Sequence, residues 1–489
     1  MTRDDAPFAI IAIEIVAIGV LVLGSLGLLI WQVVRPPIIP RLAFFAATST
    51  MARTATSVPL TATPTLPPAT ATATPTATAT PDPRKLISEC GTIDAPGLYQ
   101  LSVNLAIATT GACIRIRSSR VTLDCAQHSL QGTAYNGTGI AIQKFGLLND
   151  QIPSDVLVTG CRISKFKYGI YVESGKNLVI RNNDSSDNYD DVERGSRYGI
   201  FLGMTEGGGI RLNYAADSQV LNNTTRRQAI GIDVRDSARV VVSGNVSSDN
   251  SAWGINLMRT QQSEVSNNTT ADNVRQCKWG EGDIGFGCDA GGIVLQDGSS
   301  NNVIARNRVT GRNGNGIFIK AHAYPCGNDN SIVGNTVTGA LYNSVELGFC
   351  AGNKINDNTF RDGLDAIWLG FAHHTEIKNN TIVNMKNHGI VSSNSHDNVI
   401  SGNRIVESNV GIYFYSENYD RNFFSWLPPG DYRSHTNCLC GNIFQSNAIA
   451  IQLKDSTNNQ VTDNDFRGNA RGLLLQGNTR DNNVQGNAN

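Results

Sequence analysis

The stretch Thr375–Phe414, TEIKNNTIVNMKNHGIVSSNSHDNVISGNRIVESNVGIYF, repeats itself. Ile377-Lys378-Asn379-Asn380-Thr381-Ile382 returns as Ile400-Ser401-Gly402-Asn403-Arg404-Ile405, and Gly389-Ile390 returns as Gly411-Ile412, a step of 22 or 23 residues. The same Asn recurs as Asn223, Asn245 and Asn268, as Asn335, Asn358, Asn380 and Asn403, and as Asn442, Asn464 and Asn487. Larger gaps, such as Asn403 to Asn442, mark insertions. Each period carries three short apolar pieces, here Gly389-Ile390-Val391, Asn398-Val399-Ile400 and Arg404-Ile405-Val406. They are too short for helices and alternate with a period of two, so they predict strands. Three strands per period predict an all-β parallel β-helix, in which one coil cannot bury its inner face without its neighbours. The Asn between the second and third strands sits at a tight bend, where stacked carboxamides bond along the rod. About 12 coils spaced about 4.8 Å apart give a rod about 60 Å long.

Composition agrees. Glycine (48 of 489 residues) and asparagine are abundant, and both tolerate the positive φ of turns. A net charge of −1 leaves no broad basic surface, so no nucleic-acid partner is expected. The Asn-x-Ser/Thr triplets at Asn222, Asn245 and Asn268 read as ladder and turn residues rather than glycosylation sites.

The N-terminus is different in kind. Residues 1–14 read as a cytoplasmic N-terminus, and Ile15–Val34 is a charge-free run long enough to cross a bilayer as one helix. A cleaved signal peptide with a long core is the alternative. Residues 35–83, rich in Thr, Ala and Pro, cannot bury a core and read as a disordered stalk. All ten Cys lie beyond it, which fits an oxidising exterior, so a single-pass anchor with the β-helix domain, 84–489, outside the cytoplasm is expected. The chain stops at Gly486-Asn487-Ala488-Asn489 inside a ladder motif; fraying of the last coil is expected there, with a covering protein partner as the alternative.

Over residues 86–489 the chain resembles the right-handed parallel β-helix proteins. These include the pectate-lyase-like folds and the carbohydrate-binding and sugar-hydrolase repeat proteins of the NosD type. The opening segments Cys90-Gly91-Thr92-Ile93-Asp94, Cys113-Ile114-Arg115-Ile116 and Val121-Thr122-Leu123-Asp124 strengthen the likeness. The resemblance implies right-handedness and a carbohydrate ligand. Two enzyme signatures of the fold are missing: no Arg-x-Pro-x-x-Arg segment occurs, and Asn315 stands where polygalacturonases carry the His of Gly-His-Gly.

Four Cys pairs are disulfide candidates: Cys90 with Cys113, Cys125 with Cys161, Cys277 with Cys288, and Cys326 with Cys350. Cys438 and Cys440, two residues apart in a strand, point to the same side about 6.5–7 Å apart, too far for an unstrained bridge, so they are expected to be free, strained or bonded elsewhere.

Aligning the coils on Gly-Ile defines two outward columns. The first reads Tyr171, Phe201, Asp233, Asn256, Val294, Phe318, Glu346, Trp368, Val391, Tyr413; the second reads Glu173, Gly203, Arg235, Met258, Gln296, Lys320, Gly348, Gly370, Ser393, Tyr415. Insertions near 184–198 and 271–291 precede this strand, and others near 203–215, 321–329 and 416–437 follow it. Loops rising on both sides of one face make a groove suited to a linear polymer. Phe318, Trp368, Tyr413 and Tyr415 are candidates for stacking on sugar rings, and Arg235 for a polar contact; packing under the loops is the plainer alternative for the aromatics. Lys320, His322, Glu346 and His373 are the catalytic candidates. A uronate lyase or epimerase needs a base for the C5 proton and a cation on the carboxylate, roles open to Lys320, His322 and His373. Hydrolysis needs two carboxylates about 5 Å or about 6.5–9.5 Å apart, and Glu346 has none beside it in its column. Plain alternatives are a salt bridge for Lys320 and Glu346, and ordinary loop positions for the histidines. The expected function is membrane-anchored binding of an extracellular acidic polysaccharide. Turnover is left open, with lyase or epimerase chemistry ahead of hydrolysis; the alternative is a non-catalytic adhesin or structural envelope protein. No resident cofactor is expected; calcium is left open, although no motif indicates it.

Overall fold

The computed structural model describes residues 84–148, 150–190, 206–275, 290–320, 326–420, 422, 425 and 427–489. The expected segments 1–14, Ile15–Val34 and 35–83 lie outside them, as do Cys277, Cys288 and His322. Among the described residues no helix is long and apolar enough to cross a membrane.

The described secondary structure is strand throughout, in three long parallel sheets. The Gly-Ile strands, such as His388–Ser393, form a 15-stranded sheet, here sheet 1. The next strand of each coil, such as Val399–Ser401, joins a 16-stranded sheet 2, and the third, such as Arg404–Val406, a 13-stranded sheet 3. Each strand pairs with its counterpart one coil on: Ile390 with Ile412, Ile400 with Leu439, Ile405 with Phe444. The turns outnumber the dozen expected because the first ones, from Lys85 onward, are built without the Gly-Ile and Asn signals.

One apolar side chain per strand points inward, as in Ile390, Ile400 and Ile405, each fully buried in one continuous core. Each such side chain contributes about 1.5–3 kcal/mol relative to exposure. The residue before the inward Ile faces the next coil's backbone: a Cβ on Gly389 would lie 2.5 Å from the Gly411 carbonyl oxygen. Small residues stand at that place in other coils too, as Ser344, Ala366 and Ala450. This is the physical content of the recurring Gly-Ile.

The Asn ladder runs unbroken between sheets 2 and 3 from Asn183 to Asn487. At each rung the carboxamide nitrogen donates to the next rung's oxygen, for example Asn358 to Asn380 at 3.0 Å and Asn380 to Asn403 at 2.9 Å. The same oxygen accepts the preceding backbone N–H, as from Asn358 N at 2.9 Å. The residue before the rung is left-handed, Asn379 at φ 56° and Gly402 at φ 66°, which explains the Asn-Asn and Gly-Asn pairs. Asn245 and Asn268 are 1% exposed rungs of this ladder. Shorter ladders at other bends, such as Asn398–Asn437–Asn459 and Asn250–Asn273–Asn313, were not anticipated.

Disulfides join Cys90 to Cys113, Cys125 to Cys161 and Cys326 to Cys350, as expected. Cys438 and Cys440 are also bonded. Their Cα atoms stand 5.5 Å apart, closer than the about 6.5–7 Å of an extended strand and within bridging range. A second correction concerns alignment: Gly208–Asn213 is a sheet 1 strand, not part of an insertion, and pairs Arg211 with Tyr171 and Asp233. Arg211 and Asn213 therefore occupy the outward columns in this coil, and the expected Phe201 and Gly203 lie outside the described residues.

Candidate functional site

The outer face of sheet 1 divides into three stretches. The C-terminal one carries Glu346, Trp368, Val391 and Tyr413 in one register column, with Gly348, Gly370, Ser393 and Tyr415 beside it. Trp368 is half-buried, and a Cβ on Gly370 would collide with its six-membered ring, so the indole lies across Gly370. Gly348, one coil away, has open space beside it. Tyr413 and Tyr415 stack with centroids 4.8 Å apart, and the ring of His388 stacks on Tyr413 at 5.5 Å. Burial pushes both tyrosine hydroxyls above their ordinary pKa.

His388 belongs to a third outward column, the residues two before each inward Ile. Asp365 is its neighbour one coil back: Oδ1 accepts the His388 backbone N–H at 2.9 Å and lies 2.8 Å from His388 Nδ1. With Nδ1–H held by Asp365, His388 Nε2 is left as the proton acceptor. Asn343, paired with Asp365 across the coils, donates to Glu346 Oε2 at 2.8 Å. A second carboxylate thus stands on the coil next to Glu346, supplied by the sheet itself. Asp365, His388 and Asn343 were missed because only two outward columns were read; the position before each Gly-Ile was the available signal.

The other expected residues fall elsewhere. Lys320 ends the strand Asn315–Lys320, two residues past Phe318. Phe318 is 5% exposed and packs with Trp253, Val294 and Ile230 in a separate apolar cluster built from neighbouring coils. Left-handed Phe371 (φ 53°) turns the chain off sheet 1, so His373 stands beyond the bend. There its ring stacks on His396, which stacks on His435, each at 5.0 Å. Burial and the neighbouring His396 and His374 lower the His373 pKa. Phe371 itself packs against Phe349 and against Tyr419 and Tyr432 of the 416–437 insertion.

Arg235 lies in the N-terminal stretch, five coils from Trp368, or about 24 Å at about 4.8 Å per coil. Its Nε donates to Asp233 Oδ2 at 2.9 Å, and Arg211 Nε donates to the same oxygen at 2.8 Å. Asn256 donates to Asp233 Oδ1, and Gln296 to Asn256. Asp233 is 2% exposed. Burial alone would raise its carboxyl, but Arg235 and Arg211 outweigh that and hold it at about 2. Arg211 is pushed up: burial opposes its charge, but Asp233, Tyr168 and Glu206 more than compensate.

Residues 153–337 match the family described as right handed beta helix region, and residues 323–425 match the periplasmic copper-binding protein (NosD) family. The resemblance to right-handed parallel β-helix repeat proteins therefore holds. A search of curated proteins found no match. Among solved structures, the β-helix is similar to the periplasmic alginate epimerase AlgG, in a mutant form (12% identity, 77% of this chain and 76% of that one, TM-score 0.44). It is similar to the Dettilon tailspike protein (15%, 62% and 59%, TM-score 0.43). It is also similar to the A-module of the Azotobacter vinelandii mannuronan C-5 epimerase AlgE6 (15%, 82% and 90%, TM-score 0.42). At these identities no residue correspondence follows. The disulfides and the periplasmic family match fit an extracytoplasmic location.

The NosD family is described as copper-binding. The matched region spans His373 and His396, but their rings stack face to face and do not converge on a point. Among the described residues no group of three or more His, Cys, Asp or Glu is arranged to hold a metal ion. The described residues do not fit a copper centre.

Proposed function

We propose that the β-helix binds a linear acidic polysaccharide along the outer face of sheet 1, displayed outside the cytoplasm on the Ile15–Val34 anchor. One observation carries the reading: the His388–Tyr413–Tyr415 ring stack beside the half-buried Trp368, on adjacent coils of one flat face. Partly exposed aromatic rings on a rigid sheet present apolar surface to sugar rings at little entropic cost. The Asp365–His388 pair favours a second reading, removal of the C5 proton of a uronate by His388, which leads to elimination or epimerisation. The test is pull-down of the full-length protein on insoluble acidic and neutral polysaccharides, with absorbance followed at the unsaturated-uronate band. Retention on acidic polymers, lost in Trp368→Ala, is expected. Retention that ignores Trp368 refutes the stacking platform. Proton exchange at C5 or rising absorbance that survives His388→Gln refutes the second reading.

A further inference from the structure

The N-terminal stretch of the same face holds a cleft of about 510 Å³, across the strands Ala112–Ile116, Thr138–Ile142, Tyr168–Val172 and Gly208–Asn213. Arg115, Lys167, Tyr168, Tyr171, Glu206 and Arg211 are among its lining residues. Three donors converge on one carboxylate there. The Tyr168 hydroxyl donates to Glu206 Oε2, Arg211 Nη1 donates to it at 3.2 Å, and Lys167 Nζ lies 3.6 Å away.

The donors and the acceptor differ in how they are held. Arg211 is 6% exposed, fixed through Nε to Asp233 and through Nη1 to Tyr168 Oη at 2.5 Å, with its guanidinium over the Tyr168 ring. Its Nη2 is buried and has no hydrogen-bond partner among the described residues. Glu206 is half-exposed and lies two residues before the strand Gly208–Asn213. With Nε held by Asp233 and Nη1 shared between Glu206 and Tyr168, only Nη2 is unused, so the Nη1–Nη2 edge is set for bidentate pairing that Glu206 does not complete.

We propose that Tyr168, Lys167 and Arg211 form a carboxylate subsite for a sugar acid, occupied by Glu206 in the free protein and given over to the ligand on binding. The idea rests on the polysaccharide reading of this face. Charge selects the ligand class: among the described residues Arg115, Lys167, Arg211 and Arg235 stand with Glu173, Glu206 and Asp233, which leaves one positive charge in excess. That balance suits a monoanionic uronate better than a dianionic phosphate. Tyr171, with its ring 5.2 Å from that of Tyr168, supplies an apolar wall for the sugar. The subsite is six coils from Trp368, about 29 Å at about 4.8 Å per coil, too far for a disaccharide to span.

The probe is digalacturonate, titrated calorimetrically into the full-length protein in both the wild-type and Trp368→Ala backgrounds. Cellobiose and acetate are the controls. Glu206→Gln keeps the shape and removes the competing charge; it is expected to tighten digalacturonate binding about tenfold in either background. Arg211→Lys is expected to weaken it by a similar factor, since a lysine cannot pair bidentately. Cellobiose should respond to neither. Unchanged or weaker binding in Glu206→Gln overturns the proposal, as does an equal gain for acetate. If the dimer responds while polymer retention ignores Trp368, the stacking platform fails and the subsite stands.

Discussion

Truncating an interior rung, Asn358→Ala, tests the ladder as the device that holds the coils in register. Asn358 Oδ1 accepts from Asn335 N at 2.8 Å and from Asn335 Nδ2 at 3.0 Å. Its Nδ2 donates to the Ile332 carbonyl at 2.9 Å and to Asn380 Oδ1 at 3.0 Å. Asn358 and Asn335 are each 1% exposed, so no solvent replaces what is lost. An orphaned buried donor, the Asn335 N–H, costs about 1–3 kcal/mol, and each further bond about 0.5–1.5, so about 3–5 kcal/mol is expected once partial relaxation is allowed. The end rung is the control. Asn487 also accepts from its neighbour's N–H and carboxamide, at 2.9 and 3.0 Å, but it is only partly buried. Water replaces its bonds, and Asn487→Ala should cost under about 1 kcal/mol. Urea unfolding gives the difference, and amide exchange at Asn335 localises it. An interior cost no larger than the terminal one, or an Asn335 amide as protected as before, would refute the reasoning.

Three further outcomes are expected. Gly370→Ala should lift the Trp368 ring off the sheet and reduce polymer retention severalfold while leaving the unfolding midpoint nearly unchanged; a large loss of stability would place the indole in the core instead. The Asp233 carboxyl is held at about 2 against an ordinary 3.8, so its stabilisation is complete above the ordinary value and is lost as pH falls through about 2. The stability gap between wild type and Asp233→Asn should therefore shrink by about 2 kcal/mol on going from about pH 5 to about pH 2, measured by urea unfolding at each pH. Asp365→Asn should lower any C5-proton exchange much as His388→Gln does, because a neutral carboxamide holds Nδ1–H less firmly than the carboxylate and can instead turn its NH2 toward Nδ1; exchange unchanged in Asp365→Asn would separate the two residues.

Much of the fold was legible because the stacking of coils is nearly one-dimensional. A coil can add to its neighbour only if inward residues, bends and outward residues recur at the same places, so the period of 22 or 23 reports the architecture directly. The Asn ladder was readable for the same reason, since Asn358 and Asn380 do the same work one coil apart. The first turns were not, because Lys85–Leu101 makes its bends without Asn, and a strand with no repeated bend residue leaves no period to read. Arg211 was displaced from its column by a competing Gly-Ile at Gly199-Ile200, which mimics the motif of Gly209-Ile210. Two identical local signals in one coil cannot be ranked without knowing which one pairs.

The candidate site shows where the sequence stops. By itself it determined the parallel coil, the inward Ile columns, the position of the main ladder and three of the four disulfides among the described residues, because each depends on residue type at a repeated spacing. Only the tertiary structure decided which outward residues meet. Asp365 and His388 are 23 residues apart yet 2.8 Å apart at their side chains, whereas Phe318 shares Trp368's column and is buried in a different cluster. The physical reason is that an outward side chain is constrained by whatever insertion or neighbour covers it, not by the repeat. The repeat dictates the face, and the packing over that face dictates which of its residues remain open to a ligand.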